Sequence, residues 1–334
     1  MMSNVLVIAE AGVNHNGSLE TARALIDAAY TAGADIIKFQ TGLPENVISK
    51  YAPKAEYQVE NTGNEDESQL EMAQSFAMEY ESFGILKQYA RKVGIKFLST
   101  PFDIESADYL HGIGVDLWKI PSGEITNFPY LKHIANYHEP IIMSTGMCTM
   151  QEVREAVTVL KDNGAGKISL LHCTTDYPTD YVDVNLKAML SLHKEFGVET
   201  GYSDHTRGIE VPVAAVAMGA RIIEKHFTLD RNMPGPDHRA SLEPDELEGM
   251  IRSIRNIEKA LGSGEKIPCP SEIPNIIVAR KSIVAKCEIK AGEIFTENNL
   301  TTKRPGNGIS PMKWESLLGL KAVRDFKEDE LIEL

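Results

Sequence analysis

An α/β fold, a closed (β/α)8 barrel followed by a small β-rich module, is what this sequence predicts, and three observations carry the prediction. Eight short runs rich in Val, Ile and Phe alternate with helix-length segments. Each run is apolar at its start and polar at its carboxyl end. A Gly/Pro-rich stretch then separates a shorter C-terminal segment. Strands alternating with helices give a parallel sheet, and eight such units close into a TIM barrel. No G-x-G-x-x-G follows the first run, which argues against an open, dinucleotide-binding sheet.

In chain order the predicted strands are Val5–Glu10, Asp35–Gln40, Ile95–Thr100 and Leu117–Glu124. Then come Pro140–Gly146, Lys167–Thr174, Val198–His205 and Arg221–Thr228. Between them lie amphipathic helices that form the outer shell. One runs Ser18–Ala32 behind a Ser-x-x-Thr start. Another runs Thr149–Asn163 with Val153, Val157 and Leu160 on one side. A long polar segment from Thr41 to about Met78, containing APKAEY and NTGNEDES, breaks the short-loop pattern. Placed after the second strand of a barrel, it is expected to overhang the catalytic face. The last barrel helix, Pro244–Leu261, ends the domain spanning residues 1–262. A linker covers 263–275, and a small module covers 276–334.

Composition narrows the class. The 334 residues are 43% hydrophobic and 25% charged, ordinary for a globular protein with a sizeable core. A formal net charge of -14 argues against nucleic acid as a partner, since that needs excess Lys and Arg. Cys148, Cys173, Cys269 and Cys287 show no paired spacing, which points to reduced thiols and a cytoplasmic setting. The first twelve residues lack a basic leader and read as a strand, and no stretch is long enough to span a membrane.

Alternation along the strands decides which polar side chains share a face. Lys38 and Gln40 share one with Ile36, Ser203 shares one with His205, and Glu224 shares one with His226. Lys225 faces the other way and is expected to be structural. With the polar faces inward, one mouth holds Glu10, Lys38, Lys119, Glu124, Ser144, His205, Glu224 and His226. So many ionisable groups together are costly unless paired or ligand-bound. His205 and His226, at the ends of neighbouring strands, form a candidate divalent-metal pair with open positions for water and substrate. Lys38 and Lys119 suit a phosphate or carboxylate as point charges, with a Schiff-base role as the rival reading. Ser122, Ser144, Thr100 and Ser203 can add donors. Cys173 is read as packing.

At these strand ends the motifs IAEAGVNHNG, IKFQ, FLSTPFD, WKIPSGE, STGM, LLHCTTDYPT, GYSDHT, EKHFTLD, GPDH and KRPGNGIS stand in order. Together they closely resemble the bacterial sialic acid (N-acetylneuraminate) synthase family, which includes the legionaminic acid synthases. The resemblance runs over essentially the whole chain, and the C-terminal module resembles that family's antifreeze-like (SAF) domain. It implies condensation of phosphoenolpyruvate with an N-acetylated amino sugar and water, giving a nine-carbon acid and phosphate by C–O cleavage. It further implies a divalent metal, Mn2+ or Mg2+, on His205 and His226. Phosphoenolpyruvate is implied on Lys38, Thr100, Lys119, Ser122, Ser144 and Ser203. The sugar is implied against Asn64, Tyr177 and Asp237, with Arg304 reaching it from the partner copy in a swapped homodimer. Glu10 and Glu124 are the proton-handling candidates. Some members carry Asn where this chain has Thr175, which bears on the choice of sugar.

N-acetylmannosamine, giving N-acetylneuraminate, is the first expectation for the acceptor. The alternative is 2,4-diacetamido-2,4,6-trideoxymannose, giving N,N'-diacetyllegionaminate. Two remoter readings remain, a Schiff-base pyruvate lyase and a non-catalytic sugar- or ice-binding protein.

Overall fold

The computed structural model describes residues 4–55, 58–59 and 67–334. It divides into two compact units, Met1–Gly262 and Ser263–Leu334. In the first, eight strands form one parallel sheet: β1 (Leu6–Gly12), β2 (Ile36–Thr41), β3 (Lys96–Pro101), β4 (Trp118–Ile120), β5 (Ile141–Ser144), β6 (Ile168–His172), β7 (Thr200–Asp204) and β8 (Ile222–His226). The ladder runs β3-β2-β1-β8-β7-β6-β5-β4. β3 and β4 then lie side by side, so the sheet curls into the expected barrel.

The strands are buried on both faces, as a barrel inside a helical shell requires. Their apolar residues merge with those of the helices into one core that includes Ile8, Phe39, Leu98, Trp118, Met143, Leu171, Tyr202 and Ile223. Burying each such side chain contributes about 1.5–3 kcal/mol. Helix ends follow local chemistry. Ser18 caps Leu19–Thr31 by accepting the amide of Thr21, and Thr149 and Glu152 form a reciprocal capping box at Met150–Asp162. Pro244 opens the helix Pro244–Ala260, whose Leu247, Met250, Ile251 and Ile254 fall on one buried face.

Two elements depart from expectation. The fourth strand stops at Ile120, because Pro121 diverts the chain and Ser122–Glu124 forms a 3-10 turn. The long segment after β2 is partly helical, with helices at Pro44–Val47 and Gln69–Phe76, the latter under a Ser68/Glu71 capping box.

The second unit has its own small core of Ile283, Ile289, Phe295, Leu300, Leu317, Phe326 and Ile332. It is built on the antiparallel pair β9 (Ser282–Ala285) and β10 (Leu300–Lys303). A helix, Ile273–Ala279, crosses the expected boundary at residue 276, because Pro274 starts it in the first turn.

Candidate active site

Strand register assembles the site. Across the parallel ladder Glu10 stands beside Lys38 on one side and His226 on the other. Ser203 stands beside Glu224, and Gln40 beside Thr100. Register partners on parallel strands share a face, so these side chains converge at the carboxyl end of the barrel in a cavity of about 400 Å³. β1 leaves register between Glu10 and Gly12, and Gly12 takes φ +53°. A Cβ there would press on Gln40, Glu10 and His226 at once, each at 3.4 Å.

Four charges occupy the cavity floor. Lys38 Nζ lies 2.8 Å from Glu10 Oε2 and 3.6 Å from Glu224 Oε2, and donates to Thr100 Oγ1 at 3.1 Å. Lys119 Nζ lies 3.3 Å from Glu224 Oε1 and donates to Ser144 Oγ at 2.8 Å. Ser203 Oγ donates to Glu224 Oε1 at 3.0 Å, and Gln40 Nε2 to Glu10 Oε1 at 3.0 Å.

The environments of the two carboxylates push their pKa values apart. Burial raises Glu10, and Lys38 only partly offsets it. Burial also works against ionised Glu224, but Lys119 and Lys38 together hold its pKa below the ordinary range. Burial likewise lowers Lys119, whereas at Lys38 Glu10 and Glu224 outweigh burial and raise the ammonium. Two carboxylates separated in this way suit different roles, one carrying a proton and the other staying charged.

A wall of small polar groups adjoins Lys119. Ser122 Oγ accepts the Gly146 amide at 2.8 Å and meets Cys173 Sγ at 3.2 Å. Gly146 allows this convergence. A Cβ there would meet Thr175 Oγ1 at 2.3 Å, Cys173 Sγ at 2.9 Å and Ser122 Oγ at 3.0 Å. Cys173 is buried with its pKa raised by desolvation, the state of an unreactive packing thiol.

His205 and His226 face the cavity with ring centroids 5.5 Å apart. His205 Nδ1 lies 2.6 Å from the Thr174 carbonyl, which fixes the ring and leaves Nε2 for another partner. His226 Nδ1 is buried without a hydrogen-bond partner among the described residues. Desolvation lowers the pKa of both, so both are neutral imidazoles, the form that ligates cations. A donor set of this kind fits a divalent cation. Among the described residues no third His, Cys, Asp or Glu joins them in a ligand group. The Tyr177 ring packs 4.2 Å from His205 and edge-on to His226. Asp237 is buried on the cavity wall, with its pKa pushed up to about 6 by desolvation.

Of the residues expected at the site, Glu10, Lys38, Thr100, Lys119, Ser122 and Ser144 line this cavity, together with Tyr177, Ser203, His205, His226 and Asp237. Glu124 does not. The 3-10 turn carries it past the strand end, where its carboxylate accepts from Asn127 Nδ2 at 2.6 Å, and burial raises its pKa. Asn64 lies outside the described residues. Arg304 is exposed in the second unit. Lys225 faces away from the cavity as expected and is fully buried against Asp204 at 2.5 Å and the Thr206 carbonyl.

Sequence reasoning passed over His15 and an apolar wall of Met72, Phe76 and Met78. His15 follows β1 in a turn, where strand alternation says nothing. The apolar wall comes from a segment whose composition reads as polar. The spacing of Met72 and Phe76 on one helix face was the available signal.

The chain is 56% identical to the N,N'-diacetyllegionaminic acid synthase of Campylobacter jejuni over 99% of each chain. It is 47% identical to the enzyme of the same name from Legionella pneumophila, over 94% of this chain and 89% of that one. The crystal structure of an N-acetylneuraminic acid (sialic acid) synthetase from Leptospira borgpetersenii, in complex with citrate, superposes with a TM-score of 0.73 at 36% identity. That match covers 82% of this chain and 90% of the other. The NeuB family profile matches residues 25–266 and the SAF domain profile residues 280–333, and the chain therefore belongs to the NeuB family and carries a SAF domain behind its barrel.

Proposed function

We propose that this enzyme joins phosphoenolpyruvate to the open-chain aldehyde of an N-acetylated amino sugar, yielding a nine-carbon 2-keto acid and phosphate. The observation that carries the proposal is the alternating row Glu10–Lys38–Glu224–Lys119 beneath two neutral imidazoles in one cavity. Lys38 and Lys119, with Thr100, Ser122, Ser144 and Ser203, bind the phosphate and carboxylate of phosphoenolpyruvate. C3 of phosphoenolpyruvate forms the new bond to the aldehyde carbon, and the aldehyde oxygen takes up a proton. Water adds at C2 and gives up a proton. The new C2 hydroxyl then gives its proton to the phosphate as the C2–O bond to phosphate breaks, so the 2-keto group forms and phosphate leaves. Ionised Glu224 steadies the positive charge that develops at C2. Glu10, buried and raised towards neutrality, carries the proton between water and the aldehyde oxygen.

His205 and His226 would hold a divalent cation, Mn2+ or Mg2+. When bound, it supplies Lewis acidity to the aldehyde. A Schiff-base route has little support, because Lys119 Nζ is committed to Ser144 and Glu224 and Lys38 Nζ to Glu10 and Thr100. Tyr177 and Asp237 face the sugar, and Arg304 reaches it from the partner copy in a swapped homodimer. The four free thiols accord with a cytoplasmic setting. No helix among the described residues is long and apolar enough to cross a membrane.

Of the two acceptors, the legionaminate precursor has the better support. Met72, Phe76 and Met78 give the cavity an apolar wall. A 6-deoxy sugar with a second acetamido group offers methyls there, where N-acetylmannosamine offers hydroxyls. The two relatives above that are named for the diacetylated product point the same way. Contacts of this size are worth about 1–3 kcal/mol, so kcat/KM for 2,4-diacetamido-2,4,6-trideoxymannose should exceed that for N-acetylmannosamine by about 10-fold or more. Phosphate release compared for the two sugars tests this, and equal or reversed preference overturns the choice of acceptor. Release with neither sugar overturns the synthase reading itself.

A further inference from the structure

The turn after β1 carries a histidine to which nothing above gives a role. His15 is 1% exposed, yet it lines the cavity. Its Nδ1 accepts the backbone amide of Gly17 at 3.0 Å, so the ring proton must sit on Nε2. That Nε2–H has no partner among the described residues and is buried. A buried donor left unmade costs about 1–3 kcal/mol, a penalty that a ligand group reaching Nε2 would remove. Burial also drives the His15 pKa down to about 4, so the ring is a neutral donor throughout the physiological range.

The turn is held rigidly. Asn14 Nδ2 donates to the Phe227 carbonyl and to Ser241 Oγ, each at 2.9 Å. Asn16 Nδ2 donates to the Pro234 carbonyl at 2.9 Å, and its Oδ1 lies 3.2 Å from His238 Nε2. Ser241 Oγ in turn donates to the Asp237 carbonyl at 2.7 Å. The loop bearing Asp237 and the turn bearing His15 are therefore tied together, one presenting a carboxyl group and the other an N–H. The Asp237 carboxylate can satisfy a sugar hydroxyl, but an amide carbonyl only accepts and needs a donor.

We propose that His15 is a specificity-determining residue whose Nε2–H is a fixed hydrogen-bond donor to an acetamido carbonyl of the acceptor. This rests on the synthase reading and adds the contact that recognises the N-acetyl group. It also explains why the VNHN motif places His15 between two asparagines whose side chains bind the neighbouring loop.

Two substitutions divide the ring's functions. His15→Asn keeps an acceptor facing Gly17 and removes the Nε2–H; His15→Gln keeps an N–H near the Nε2 position. Steady-state kinetics are measured on the full chain with phosphoenolpyruvate and whichever N-acetylated sugar the wild type turns over, alongside thermal melting. For His15→Asn the acceptor KM should rise about 10- to 100-fold, the range a lost buried hydrogen bond covers. The phosphoenolpyruvate KM should stay within about twofold, and His15→Gln should recover much of the loss. An unchanged acceptor KM overturns the inference. So does an equal rise in both KM values, or a Gln variant that folds and does no better than Asn. If the wild type releases no phosphate with either N-acetylated sugar, the synthase reading fails instead, and the two failures are distinguishable.

Discussion

Four ionisable side chains share the cavity floor without neutralising one another into an inert cluster, because each lysine has unequal carboxylate partners. Lys38 stands between Glu10 and Glu224, whereas Lys119 leans on Glu224 alone and suffers more from burial. The adjoining hydroxyl wall depends on a residue with no side chain. Gly146→Ala forces a methyl into Thr175, Cys173 and Ser122. Overpacking of this kind costs about 1–3 kcal/mol. The variant should melt lower and lose affinity for phosphoenolpyruvate, which thermal melting and a phosphoenolpyruvate titration check. On the opposite face of β8, Lys225 and Asp204 are both fully buried. Lys225→Met strands a buried carboxylate and should destabilise by about 3–5 kcal/mol. Adding Asp204→Asn should recover part of that, as urea melts of the single and double variants would reveal.

At the level of elements, the site is held by connections between strands, and their chemistry sets the acid limb of stability. Burial lowers both His15 and His238 to about 4 from 6.5. A depressed histidine contributes stability above pH 6.5. That stability is lost as pH falls from 6.5 towards 4, where the unfolded chain takes up protons that the folded one refuses. His15 should cost about 3 kcal/mol by pH 4, and the less deeply desolvated His238 less. Asp237, raised to about 6 from 3.8, works oppositely, since the folded state gains a proton first as pH falls through 6. Asp237→Asn removes that offset. Its stability should fall more steeply than the wild type's between pH 6 and 4, and an acid series of denaturant melts would decide it.

At the scale of the whole molecule, the barrel and the SAF domain have separate cores, so losing the polar contribution of one need not unfold the other. If Arg304 acts on a partner's barrel, Lys38→Ala and Arg304→Ala chains, each inactive alone, should restore activity when mixed and allowed to exchange. With random pairing into closed dimers, about a quarter of all sites would be complete. Absence of any recovery in exchanged mixtures would exclude action in trans. Chelation by EDTA should abolish phosphate release and Mn2+ should restore it. Full activity in chelator would remove the cation from the mechanism.

The eight strands, the polar carboxyl ends and the outward-facing Lys225 were all legible in the sequence, because strand alternation and apolar runs are local properties. The histidine pair could be read from the chain for the same reason, as His226 ends its strand and His205 follows directly on the end of its own. What the chain alone did not reveal depends on turns and on distant partners. Pro121 takes Glu124 away from the cavity through a 3-10 turn that alternation cannot anticipate. The burial of His15 depends on bonds from Asn14 and Asn16 to residues more than two hundred positions away. The opposed pKa shifts of Glu10 and Glu224 arise because Glu224 stands between two lysines while Glu10 meets only Lys38, and closing the barrel creates that placement. Sequence determined which side chains face inward; tertiary structure decided which become neighbours, because desolvation and pairing act through space.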